Sequence, residues 1–124
     1  MKIINRVRIV IHGQVRGGKN NMIVTRKGLH FQRPTFRRWR DDAVMQICSE
    51  YYTATPIFTK PVSARVYYVA GDKRKRDIPA VMDAIWHVLE RALVVADDSL
   101  IRNVEWRSAY DKAEPRVEIE LWEE

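Results

Sequence analysis

The 124-residue chain has one cysteine, Cys48, five glycines, five prolines and three histidines. A lone cysteine closes no internal disulfide, so a reducing, cytoplasmic setting is expected. Its neighbours, Val44, Met45 and Ile47, make Cys48 read as a buried apolar residue rather than a nucleophile. His12, His30 and His87 have no metal-ligand spacing with it or with each other, which excludes the common zinc sites. No stretch approaches the roughly 18 apolar residues that span a bilayer. At the N-terminus Lys2 and Arg6 interrupt the apolar residues, so no signal peptide is expected. There is no internal repeat and no low-complexity tract. The loop Arg16-Gly17-Gly18-Lys19 lacks the spacing and the Lys-Ser/Thr ending of a P-loop.

What is present is a basic, aromatic-containing chain that can fold. Hydrophobic residues make up 46% and aromatics 10%, enough for one domain over residues 1–124 with a buried core. Lys and Arg outnumber Asp and Glu by 22 to 16, giving a net charge of +6 and a pI near 9.7. That excess favours an anionic partner, and nucleic acid first among them.

Period-two alternation of Val7, Ile9 and Ile11 predicts a strand within residues 3–12, closed by Gly13. The loop over 13–21 follows, where Lys19 and Asn20 beside glycines are candidates for phosphate contact. Residues 22–31 read as short strands around a turn at Lys27-Gly28. Phe36, Trp39, Ala43, Ile47 and Tyr51 recur every three or four residues, predicting an amphipathic helix over 35–52. Its first turns carry Arg37 and Arg38, which oppose the helix dipole and so suggest phosphate contact more than stabilisation. After a proline-containing loop over 53–61, residues 63–70 are dense in β-branched and aromatic side chains and predict a well-buried strand.

The stretch from Gly71 to Ser99 concentrates the chemistry. Lys73, Arg74, Lys75 and Arg76 end on Asp77, and Pro79 opens a helix expected to reach about Leu93. Val81, Met82, Ile85, Val88, Leu89 and Ala92 share one arc of it. Asp83, His87 and Glu90 point away, and His87 reads as a surface residue. Asp97 and Asp98 follow. The helix carries the chain about 20 Å from Asp77. Residues 93–98, if extended, cover a similar distance. Asp98 is therefore expected back beside Asp77, with Asp97 capping the turn or standing behind the site. Clustered carboxylates suit a hard cation, and a basic run suits a phosphate backbone. Residues 100–110 and 116–121 read as two final strands, partners of one another.

Arg76-Asp77-Ile78, the apolar helix and Ala96-Asp97-Asp98 resemble the core of the RusA-type Holliday-junction resolvases, the crossover junction endodeoxyribonucleases. The likeness extends over residues 63–122 and, more loosely, to the N-terminal strand. It implies a small α+β domain, a mixed β-sheet with two main helices, working as a homodimer on four-way DNA junctions, of the phage or prophage type. It further implies Mg²⁺, or Mn²⁺ in its place, held by Asp77 and Asp98. Lys73 to Arg76 would then hold the DNA backbone, with Arg76 placed to steady the reacting phosphate. The chain departs from the family pattern at three points: the second aspartate falls on Pro79, its following asparagine on Ala80 and the helix lysine on Asp83. Asp83 lies off the apolar arc, where it can replace the missing ligand. A DNA-binding protein that has lost cleavage, and a metal nuclease for other branched DNA, are the alternatives.

Overall fold

The computed structural model describes residues 5–16, 22–24, 26–28, 30–32 and 34–124. A four-stranded sheet and two helices carry the core. In chain order the elements are β1 (Arg6–His12), β2 (Met22–Val24), β3 (His30–Gln32), α1 (Pro34–Glu50), β4 (Val62–Ala70), α2 (Ile78–Arg91), β5 (Ile101–Tyr110) and β6 (Arg116–Glu123), with a 3₁₀ turn at Asp98–Leu100. The large sheet has the order β1-β6-β4-β5, and β2 and β3 form a separate antiparallel pair. This is the mixed α+β arrangement expected.

Alternation decides which side of the sheet is buried. Val7, Ile9 and Ile11 of β1, Val62, Ala64, Val66 and Tyr68 of β4, and Val117, Ile119 and Leu121 of β6 form its covered face. Against them pack Phe36, Trp39, Ala43 and Ile47 of α1 and Val81, Ile85, Val88 and Leu89 of α2. The opposite face is charged. Arg6 and Arg8 meet Glu120, Arg65 meets Glu105, and Arg116 meets Glu118.

The final two strands do not pair with each other. β5 lies parallel to β4, and β6 inserts antiparallel between β4 and β1. The physical reason is α2. A strand, a crossover helix and a second strand in one sheet are parallel and commonly adjacent, so β4-α2-β5 forms a unit. β6, with buried Val117, Ile119 and Leu121, then suits a central position, while β5 is left at the margin with mostly exposed side chains.

Two residues expected at the extremes of burial sit between them. Cys48 is half-buried against the core rather than enclosed. His87 is not a surface residue: its ring meets Phe36 at 6.2 Å between centroids, and its Nε2 is enclosed without a hydrogen-bond partner.

Candidate active site

The sheet places the chemistry-bearing residues at the two ends of α2. At the first end, β4 stops at Ala70 and residues 71–77 cross to the helix. Gln14 fixes this exit: its Oε1 accepts from the Gly71 N–H at 2.7 Å and its Nε2 donates to the Tyr68 hydroxyl at 2.8 Å. Asp72 then organises the basic run. Its carboxylate accepts from the Arg74 N–H at 2.9 Å and pairs with the Arg76 guanidinium at 2.8 Å. The Arg74 N–H, then Arg76, hold its pKa below the usual carboxylate range. Arg76 also donates to the carbonyls of Asp72 and Arg74, so its charge is built into the loop. Lys73 lies 5.4 Å from the centroid of the Tyr110 ring. With Tyr68, Arg74 and Ser108 these residues line an open groove of about 420 Å³ over the end of β5.

Asp77 closes the loop as the N-cap of α2. It is extended (φ −77°, ψ 100°) and its Oδ1 accepts from the Ala80 N–H at 3.4 Å. An acid here satisfies an otherwise orphaned amide and complements the helix dipole. Pro79 sits in the first turn, where no N–H is missed.

The other end of α2 gathers the remaining acids. One carboxylate oxygen from each of Glu90, Asp97 and Asp98 lies within 4.8 Å of the others. Glu90 Oε1 accepts from the Asp98 N–H at 3.2 Å, and Asp97 Oδ1 accepts from the Ser99 N–H at 2.8 Å. The Ser99 bonds depress the Asp97 pKa. His87 stands near this cluster; burial, then Arg40 and Arg91, push its pKa down. The contact of Phe36 with His87 brings the start of α1, and the exposed Arg37 and Arg38, to the same end.

Asp77 and Asp98 therefore do not meet within one chain. Asp98 is tied to Glu90, thirteen positions beyond Asp77 in sequence and about 20 Å along a helix. The expected return along α2 fails at Leu93. That residue is left-handed (φ 62°), its N–H bonds to the Glu90 carbonyl, and the Val94 N–H bonds to the Leu89 carbonyl. This is a Schellman ending, which turns the chain aside. The next residues pair with the loop before β4, through Phe58 N–H to Val94 carbonyl at 2.9 Å and Ala96 N–H to Phe58 carbonyl at 3.0 Å. Phe58 itself is fully buried.

Asp83 is exposed on α2 and belongs to neither group of carboxylates. Lys19 and Asn20 lie outside the described residues. Asp97 caps its turn as expected. Sequence reasoning missed Glu90, Gln14 and Tyr68. Glu90 was legible as an acid off the apolar arc of α2 in its last turn, where a carboxylate opposes the dipole and so calls for another explanation.

The family model for endodeoxyribonuclease RusA matches residues 12–122. The chain belongs to the RusA family. It is thus an endodeoxyribonuclease by descent. A curated RusA protein, the crossover junction endodeoxyribonuclease RusA of Aquifex aeolicus (strain VF5), is 24% identical over 102 residues, spanning 82% of this chain and 79% of that protein. The match takes in both ends of α2, the groove and every strand of the large sheet except most of β1. No helix among the described residues is long and apolar enough to cross a membrane.

Proposed function

We propose that this RusA-family chain resolves four-way DNA junctions by metal-assisted hydrolysis of phosphodiesters in paired strands, acting as a homodimer. The observation that carries this reading is the convergence of Glu90, Asp97 and Asp98 at the head of β5. Their donor set is all oxygen, anionic and solvent-accessible, which fits a hard ion such as Mg²⁺ or Mn²⁺ and does not fit zinc. Asp98 with Glu90 and Asp97 would hold the ion. When bound, it supplies a polarised phosphodiester and a water of lowered pKa.

Asp77 is the second proposed ligand, on the strength of the family pattern. α2 separates it from Asp98 in one chain, so an ion shared by the two acids requires two chains. Asp83 projects from the exposed face of α2 and is the proposed substitute for the acid lost at Pro79. Lys73, Arg74 and Lys75 would position the DNA backbone without reading bases. Arg76 would place its charge beside Asp77 while holding the loop in shape. Arg37 and Arg38 supply cations at the acid-rich end for a second backbone contact.

A four-way junction, a flap and a linear duplex, incubated side by side with Mg²⁺, test the proposal. Paired symmetric nicks confined to the junction are expected, and Asp98→Asn is expected to slow them by more than about 100-fold, the scale at which loss of a charge-stabilising group is felt. Junction binding that weakens with salt but never yields a Mg²⁺-dependent product would instead favour the binding-only reading. Cutting of the flap or the duplex at the same rate would favour a broader branched-DNA nuclease.

A further inference from the structure

The large sheet has two margins, and the chain treats them differently. Along β1 the backbone is closed off by α1. The His12 N–H donates to Gln46 Oε1 at 2.8 Å, Gln46 Nε2 donates to the His12 carbonyl at 3.0 Å, and the Tyr51 hydroxyl donates to the Arg8 carbonyl at 3.1 Å. Along β5, among the described residues, no side chain performs that service, although β5 is the longest strand in the molecule. A strand of ten residues with one row of free backbone groups is a template for another strand. On its helix-facing side β5 also leaves Val104 and Tyr110 exposed, at 36% and 46%, beside a half-buried Trp106. Their partners across the ladder, Ala64, Ala70 and Val66, are buried, so cover stops at β4.

We propose that a second copy of this chain docks on the open margin of β5, the two β5 strands pairing antiparallel about Trp106 and joining two four-stranded sheets into one. The occupant is identified by charge. A two-fold axis perpendicular to the sheet sets residues of the same face opposite one another. Glu105 and Arg107 share the outer face, where Glu105 pairs with Arg65 and Arg107 lies over Tyr67. Centred on Trp106, the pairing puts Glu105 opposite the partner's Arg107, twice. Moving the centre one residue either way sets Glu105 against the partner's Glu105, or Arg107 against the partner's Arg107. Opposite charges facing across strands stabilise and like charges repel, so the centred register wins. The ends of the strand agree with this choice. The basic loop over 73–76 overhangs the end of β5, while Glu90, Asp97 and Asp98 stand at its start beside Arg102. Antiparallel pairing brings the basic end of each copy to the acidic end of the other.

The interface deepens the two-chain reading of the active site and is tested without DNA or metal, so cleavage can fail while the interface stands. Sedimentation equilibrium of the full chain over a range of concentrations should show a dimer. Glu105→Arg alone and Arg107→Glu alone should each raise its dissociation constant by about tenfold or more, since each creates two like-charged pairs. Combining both changes restores opposite charges across the axis and should restore the dimer. Thermal melts verify that each variant folds; all three change exposed side chains. A dimer indifferent to both single changes, or one that the combined change does not recover, overturns the β5 interface and leaves the two-chain reading in place. A monomer at every concentration overturns both.

Discussion

Asp77 has two jobs to separate, and the chemistry of a single atom separates them. As N-cap it needs only an oxygen that accepts from the Ala80 N–H. As a metal ligand it needs a charge. Asparagine keeps the first property and loses the second, because Asn and Asp cap helices about equally well. Asp77→Asn should therefore melt within about 0.5 kcal/mol of the native protein and lose junction cleavage by more than about 100-fold. Asp77→Ala should lose both, with about 1 kcal/mol of stability gone. Equal cleavage by native and Asp77→Asn protein would reduce Asp77 to a cap. Asp83 offers a contrast, since it caps nothing and touches no other acid. If it replaces the acid missing at Pro79, Asp83→Asn should impair cleavage while leaving the melt unchanged.

At the scale of elements, the closed margin of β1 depends on one amide. Gln46 reaches from α1 to bond both the N–H and the carbonyl of His12, and Asp42 accepts from the same side chain at 2.8 Å. Gln46→Ala should cost about 1–2 kcal/mol, read as a shift in the denaturant midpoint at constant slope, because two backbone groups lose partners at a site that water reaches. No sequence pattern announces such a contact, since Gln46 lies off the apolar stripe that defines α1. The stripe itself was legible: Phe36, Trp39, Ala43 and Ile47 are all buried, as their spacing requires. So were the strands with strict alternation. The pairing of β5 with β6 was misread because sequence adjacency suggests a hairpin, whereas a helix between two strands sets β5 parallel to β4. The meeting of Asp77 with Asp98 was misread because chain length allows the return and only geometry forbids it. Leucine gives no hint of a left-handed residue, so the Schellman turn at Leu93 had no marker of the kind a glycine supplies. The acid-rich end was half legible, in Asp97 and Asp98, and incomplete without the folded position of Glu90.

Over the whole molecule, acid should act in two separate windows. His87 has Nε2 enclosed against the core, and burial together with Arg40 and Arg91 keeps it neutral to a lower pH than in an unfolded chain; Glu90 and Asp98 oppose this more weakly. Where the folded pKa is depressed, the unfolded chain binds the extra proton. Stability conferred by the neutral imidazole is thus present above the unfolded value of about 6.5, and falls as pH drops below it toward the folded value. Asp72 and Asp97 also have depressed folded pKa values, but their contribution is lost only below the ordinary carboxylate range. A melt repeated between pH 7.5 and pH 5 should therefore decline mainly through His87. His87→Phe retains a ring against Phe36 and cannot titrate, so its melting temperature should be flatter across that interval than the native one. Parallel declines in the two proteins would assign the acid sensitivity to another group. Because His87 stands beside Glu90 and Asp98, the same protonation would set a positive charge next to the acid-rich end. Junction cleavage should then fall with pH more steeply in the native protein than in His87→Phe, after both rates are corrected for the folded fraction.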